Sequence, residues 1–183
     1  SNISCAKKEI TLVDTVSFKG LVPNQKYEVT GTLMDKETKK PVEADGKPVT
    51  AKASFKPKES AGTVEVTFTF DASSLKGKTV VVFESLAYKD KEVAVHSDIA
   101  DEGQTIYFPE IETTASDSAS GTHYAKPEKE LTLTDLVEYK NLVPGKEYKL
   151  TGTLMDAETE KPFEVDGKAV TAETSFTPEE ANG

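Results

Sequence analysis

The chain of 183 residues has one cysteine, two histidines, no tryptophan and no long apolar run. A single thiol, Cys5, cannot staple a domain internally. Its place near the start suits a lone buried or fraying-end thiol. Robustness outside the cell would have to come from another source. No stretch reaches the length of a membrane span. No signal peptide stands at the start, as expected of an interior piece if the parent protein is secreted. Positive charge is also short: 32 acidic residues against 22 basic give a net charge of -10. That balance argues against a nucleic-acid partner and fits a soluble, self-repelling surface. The acids and bases are mixed along the chain, as on ordinary solvated faces.

What is present is a repeat. Residues 9–59 recur without a gap as residues 130–180, with about thirty of the fifty-one paired positions identical. Thr30-Gly-Thr-Leu-Met-Asp35 returns as Thr151-Gly-Thr-Leu-Met-Asp156. Leu21-Val-Pro23 returns as Leu142-Val-Pro144, and Asp45-Gly-Lys47 as Asp166-Gly-Lys168. The chain therefore reads as a tandem array of one module. Residues 1–110 form a first module lacking its first strand, and residues 111–183 form the N-terminal part of a second. Half a sandwich of that kind buries little apolar surface and is expected to be partly disordered. Pro109 leaves almost no linker and favours a stiff joint.

Within the module, alternation predicts strands. Ile10, Leu12, Val16 and Phe18 share one phase, with Asp14 among them; Tyr27, Val29, Gly31 and Leu33 share another. Residues 49–55 alternate too. Val64, Val66, Phe68 and Phe70 form the cleanest inward set. Residues 78–86 are strongly apolar, and residues 92–96 and 104–108 complete the module. Pro23-Asn24 and its counterpart Pro144-Gly145 suit turns that need a positive φ. Asp71 is placed to cap a short helical turn. Short strands with turns every eight to twelve residues predict an antiparallel sandwich or a Greek-key barrel.

The chemistry-bearing residues are sparse. His96 and His123 fall in different modules. Asp98, Asp101 and Glu102 lack the spacing of a helix-loop-helix calcium loop, so no metal is expected. A phosphate-binding glycine loop and a Gly-x-Ser-x-Gly elbow are both missing, which argues against a turnover enzyme. Two positions stand out. Glu84 interrupts the apolar run Val80-Val-Val-Phe-Glu84 and shares the phase of Val80 and Val82, where an ionised carboxylate is costly unless paired or neutral. His96 precedes a cluster of acids and Gln104. Spacing alone does not say that these residues meet.

The stretches Phe83-Glu84, Val93-Ala-Val-His-Ser-Asp98, Asp101-Glu-Gly-Gln-Thr105 and Ile111-Glu-Thr-Thr-Ala115, together with the Gly-Thr-Leu-Met-Asp block, resemble the VaFE repeat family. These are the Thr–Gln ester-bond domains strung along surface adhesins of Gram-positive bacteria. The resemblance covers almost the whole chain. It implies an all-β, antiparallel immunoglobulin-like (Greek-key) sandwich. It also implies an autocatalytic ester between a first-strand threonine and a last-strand glutamine, with no cofactor.

Carried over, the glutamine is Gln104, the histidine His96 and the buried acid Glu84. A further acid falls at Asp14, whose second-module equivalent is Asp135. The threonine falls on Thr113 or Thr114; Thr113 shares the phase of Ile111 and Ala115 and is favoured. His96 would activate the hydroxyl, and a protonated Glu84 would polarise the amide carbonyl. Gln104, His96 and Glu84 lie in the first module, whereas Thr113, Thr114 and Asp135 lie in the second. Residues 111–115 of a neighbouring chain could fill the first module's slot, giving a strand-swapped homo-oligomer.

The implied function is a stalk or spacer of a cell-wall adhesin, made mechanically and proteolytically stable by the cross-link. Its partners would be the adjoining modules, with any host surface ligand reached only through the parent protein. The alternative is a module of the same fold that binds a host protein or glycan.

Overall fold

The computed structural model describes residues 2–183 and is all-β. In the first module the strands are β1 (Ile10–Phe18), β2 (Tyr27–Asp35), β3 (Glu43–Ala44), β4 (Lys47–Pro48), β5 (Thr50–Phe55), β6 (Gly62–Phe70), β7 (Thr79–Tyr88), β8 (Lys91–His96) and β9 (Thr105–Tyr107). One sheet runs β5-β2-β7-β8, with β9 on β7 beyond β8; a second pairs β1 with β6, and β3 with β4 forms a small hairpin. Every one of these pairings is antiparallel.

Alternation set the inward faces as expected. Tyr27, Val29, Gly31, Leu33 and Asp35 are the buried phase of β2, and Val66 and Phe68 that of β6. The two larger sheets share one core, containing Ile10, Val29, Leu33, Val66, Phe68, Val80, Val82 and Phe108. Asp35 belongs to the buried phase because its Oδ1 accepts the N–H groups of Glu37 and Thr38 in the turn that follows. The turn at residues 71–76 is a 3-10 turn over Ser73–Leu75, with Asp71 Oδ1 accepting from Ser73 N–H. Asn24 and Gly145 both take a positive φ, 65° and 75°, as their shared turn requires. The stretch 104–108 is only partly strand: Gln104 closes a 3-10 turn over Glu102–Gln104, and β9 begins one residue later. Cys5 is exposed.

The second module holds β10 (Glu110–Asp117), β11 (Leu133–Lys140), β12 (Tyr148–Thr153), β13 (Met155–Asp156), β14 (Lys161–Pro162), β15 (Glu164–Val165), β16 (Lys168–Ala169) and β17 (Thr171–Phe176). They pair two by two: β10-β11, β12-β17, β13-β14 and β15-β16. Residues 2–4, which correspond by the repeat to part of the loop after β10, lie beside β9. There Ile3 bridges Tyr107 in parallel, and the Tyr107 N–H donates to Asn2 O at 2.7 Å.

Gly31 shows how closely the first module's sheets approach. A Cβ at this position would lie 2.5 Å from Phe68 Cζ, in a core with no slack. Its counterpart Gly152 has only Ala172 O within reach, at 4.0 Å. Gly31→Ala is therefore expected to destabilise the first module by about 1–3 kcal/mol through overpacking. It should lower the urea midpoint, and Phe68→Leu in the same chain should recover part of the loss. Gly152→Ala should leave the midpoint unchanged.

Candidate functional site

β1 pairs with β6 alone and β8 with β7 alone among the described residues. Their free edges border one groove of about 480 Å³, lined among others by Val16, Phe18, Glu84, Val93, Val95 and His96. A separate, smaller cavity of about 290 Å³ is lined by Asp14 and Gln104 among others. Of the four first-module residues singled out from sequence, Glu84 and His96 line the groove, and Asp14 and Gln104 line the smaller cavity.

Glu84 is 5 % exposed. It stands opposite Gly31 on β2 and opposite His96 on β8. Residues directly opposite across an antiparallel pair point to the same face, so His96 also faces inward. Its side chain is nevertheless 50 % exposed, because β8 is an edge with nothing laid against it. Asp14 sits in unbroken register opposite Val66, on the inward phase of β1. Burial, then a hydrogen bond to Asp14 and the charges of Asp14 and Asp101, push the Glu84 carboxyl up to about 9. Glu84 is therefore the neutral acid at physiological pH. Asp14 Oδ2 and Glu84 Oε1 are buried and find no other partner among the described residues, so the proton kept on Glu84 is what the two carboxyls have to share.

Asp101 is a site residue that sequence reasoning did not single out. Its Oδ2 lies 2.9 Å from His96 Nε2, and its Oδ1 accepts the Gly103 N–H at 2.7 Å. The Gly103 hydrogen bond first, then His96, holds the Asp101 carboxyl below its usual range. Asp101 thus caps the turn that carries Gln104 and orients the imidazole with the same carboxylate. The signal in the sequence was Asp101-Glu-Gly, a polar cap two residues ahead of a glycine.

Thr113, Thr114 and Asp135 are not brought to this groove. They lie on the β10-β11 pair, where Thr113 faces Val137, Thr114 faces Leu136 and Ala115 faces Asp135. All of β10 from Ile111 to Ala115 is exposed. The inward position expected for Thr113 has no core to point into here. By the repeat, Val137 and Asp135 correspond to Val16 and Asp14, which are the inward phase of β1. Thr113 therefore shares the face of those two residues, while Thr114 shares that of Leu136, which is 65 % exposed.

The sequence matches the family model of the T-Q ester bond containing domain twice, over residues 1–108 and 109–183. The chain belongs to this family. It is a domain of the class named for Thr–Gln ester bonds. Among solved structures it is similar to a bacterial adhesin from Mobiluncus mulieris containing intramolecular disulfide, isopeptide and ester bond cross-links. In one crystal form (P1) the identity is 13 %, the TM-score 0.50, and the match covers 97 % of this chain and 90 % of that one. In the other (P21) the values are 14 %, 0.52, 98 % and 95 %. At such identities the likeness is one of fold. A comparison with curated proteins finds no match. No helix among the described residues is long and apolar enough to cross a membrane.

The charge state of Glu84 has a sign that can be measured. Folded, it keeps its proton up to about 9; unfolded, it loses it near 4.5. Between those values the folded state holds more protons, so stability must fall as pH rises and level off above the folded value. The urea midpoint of the native chain should decline across that window. Glu84→Gln, which cannot ionise, should flatten the decline and be the more stable protein near the alkaline end.

Proposed function

We propose that this segment is a spacer of an adhesin stalk, and that the groove is the seat of a first strand whose threonine forms an ester with Gln104. With that strand in place the module closes as an immunoglobulin-like Greek-key sandwich with no open edge between β1 and β8. The observation that carries the reading is Glu84: a neutral, buried carboxyl beside Asp14 and opposite His96.

In this reading the threonine Oγ attacks Gln104 Cδ. His96, oriented by Asp101 through Nε2, takes the hydroxyl proton on its other nitrogen. Glu84 donates a hydrogen bond to the carbonyl oxygen as negative charge builds there. The amide nitrogen leaves as ammonia with the proton that His96 returns, and a Cδ–Oγ ester remains. Each site reacts once. The product joins the first strand to the last, and so restrains unfolding as a disulfide does, without an oxidising compartment.

The β10-β11 register supports Thr113 as the threonine position. Laid against β1 as β10 lies against β11, Thr113 faces the groove opposite Val16, two register pairs from Asp14 and on the same face. The same groove could take β10 of a second chain, which would give a strand-swapped oligomer.

A synthetic peptide of residues 109–119, mixed with the 183-residue protein, tests both points. Intact mass under denaturing conditions should show an adduct about 17 Da lighter than the sum, the mass of the ammonia released. Peptide mapping should place it on Gln104. His96→Ala and Gln104→Ala should abolish it. A peptide with Thr113→Ala should fail while one with Thr114→Ala reacts; the reverse would reassign the nucleophile. No adduct with any peptide would overturn the ester site. A covalent dimer of the protein alone would establish strand exchange.

A further inference from the structure

Beyond the chain connection at Pro109, the modules meet at Asn141, in the turn after β11, where the side chain reaches into the first module. Asn141 Oδ1 accepts from Thr79 Oγ1 at 2.9 Å, and Nδ2 donates to Lys78 O at 2.6 Å and to Phe108 O at 3.3 Å. All the principal hydrogen-bonding capacity of the carboxamide is thus spent on one face of the neighbouring module. The orientation of the amide is fixed by chemistry, since two carbonyl oxygens require the NH2 end.

The acceptor face exists only when the first module is closed at that end. Phe108 N–H donates to Lys78 O at 2.9 Å, and Phe108 is fully buried. Beside it, Gly77 has φ 72°, and a Cβ there would meet Glu110 Oε2 at 3.1 Å and Lys140 Cβ at 3.9 Å. The β10-β11 pair therefore sits tightly on this corner, with Lys140 Nζ 3.6 Å from Glu110 Oε2.

We propose that Asn141 is the latch of the joint: it docks on the Lys78–Thr79–Phe108 end face and locks consecutive modules into one rigid body. The partner this face fits is a following module carrying a carboxamide at a left-handed turn position. Asn141 has φ 59°, a conformation that asparagine tolerates better than other side chains. The same position in the first module is Gly20, φ 77°, with nothing within 4 Å of its built Cβ. The repeat keeps the backbone and changes only the side chain, so latching is a property of the residue and not of the fold. Aspartate would not serve, because it offers acceptors to two carbonyl acceptors.

The test is 15N relaxation on the 183-residue chain. In the native protein both modules should share one rotational correlation time, and the Asn141 side-chain NH2 should exchange slowly. Asn141→Gly installs the first module's own residue without straining the backbone. It should split the correlation times, each moving toward that of a separate module, while amide shifts remote from the joint stay in place. Asn141→Asp should do the same. Independent tumbling of the native modules, or a common correlation time retained in Asn141→Gly, would overturn the latch.

Discussion

A carboxyl group buried in the middle of an apolar strand, with no cation beside it, is driven toward the neutral acid, and Glu84 is such a group. β7 carries Val80 and Val82 on the same face as Glu84 and has β2 and β8 on its two sides, so that face has little water to offer an ion. Nearby lies Asp14, which makes ionisation of Glu84 harder still. The rest of the site is arranged around this one protonated group. His96 is its cross-strand neighbour, Asp101 ties His96 to the turn bearing Gln104, and Asp14 and Gln104 line one small cavity. A carboxylic acid kept as a hydrogen-bond donor is useful only where an acceptor arrives, and the groove is where one can.

The two copies of the repeat separate local from tertiary causes of structure. Leu33, Val42 and Val49 are 0, 6 and 7 % exposed; their counterparts Leu154, Phe163 and Val170 are 39, 44 and 37 % exposed. The turns nonetheless match, with φ of 58° at Lys39 and 57° at Glu160, and of 51° at Asp45 and 52° at Asp166. Turn chemistry and strand alternation therefore shape the backbone in both copies. Burial comes from the facing sheet, which in the first module brings Val66, Phe68, Val80 and Val82.

This division explains what could be read from the sequence. The tandem repeat, the inward phases of β2 and β6, the Asp71 turn and the positive-φ turns are all written in short-range pattern, and all were legible. Glu84 was legible as a charge breaking an apolar run. His96, Asp14 and Gln104 were identifiable by family resemblance, since three of the four residues lie on different strands and no local rule brings them together. Asp101 was hidden because a capping aspartate and an imidazole-orienting aspartate look alike until the His96 contact is known. Asn141 was hidden for another reason. Against Gly20 it looks like ordinary drift between repeats, since both residues suit the same φ, and only the neighbouring carbonyls reveal its use. The burial phase of Thr113 was the least accessible, because it depends on a register and a covering sheet, not on the strand itself.

The site also imposes an order of assembly. Asp14 belongs to the first long strand of the module, whereas Glu84, His96 and Gln104 belong to its last segments. A chain that emerges from synthesis N-terminus first presents Asp14 long before Glu84, His96 and Gln104. Until β7 and β8 have docked, Glu84 is solvated, ordinarily acidic and unable to act as a donor. The proposed chemistry would therefore be silent in the nascent chain and available only once the module that it would fasten is folded, so a misfolded module would not be sealed in its error.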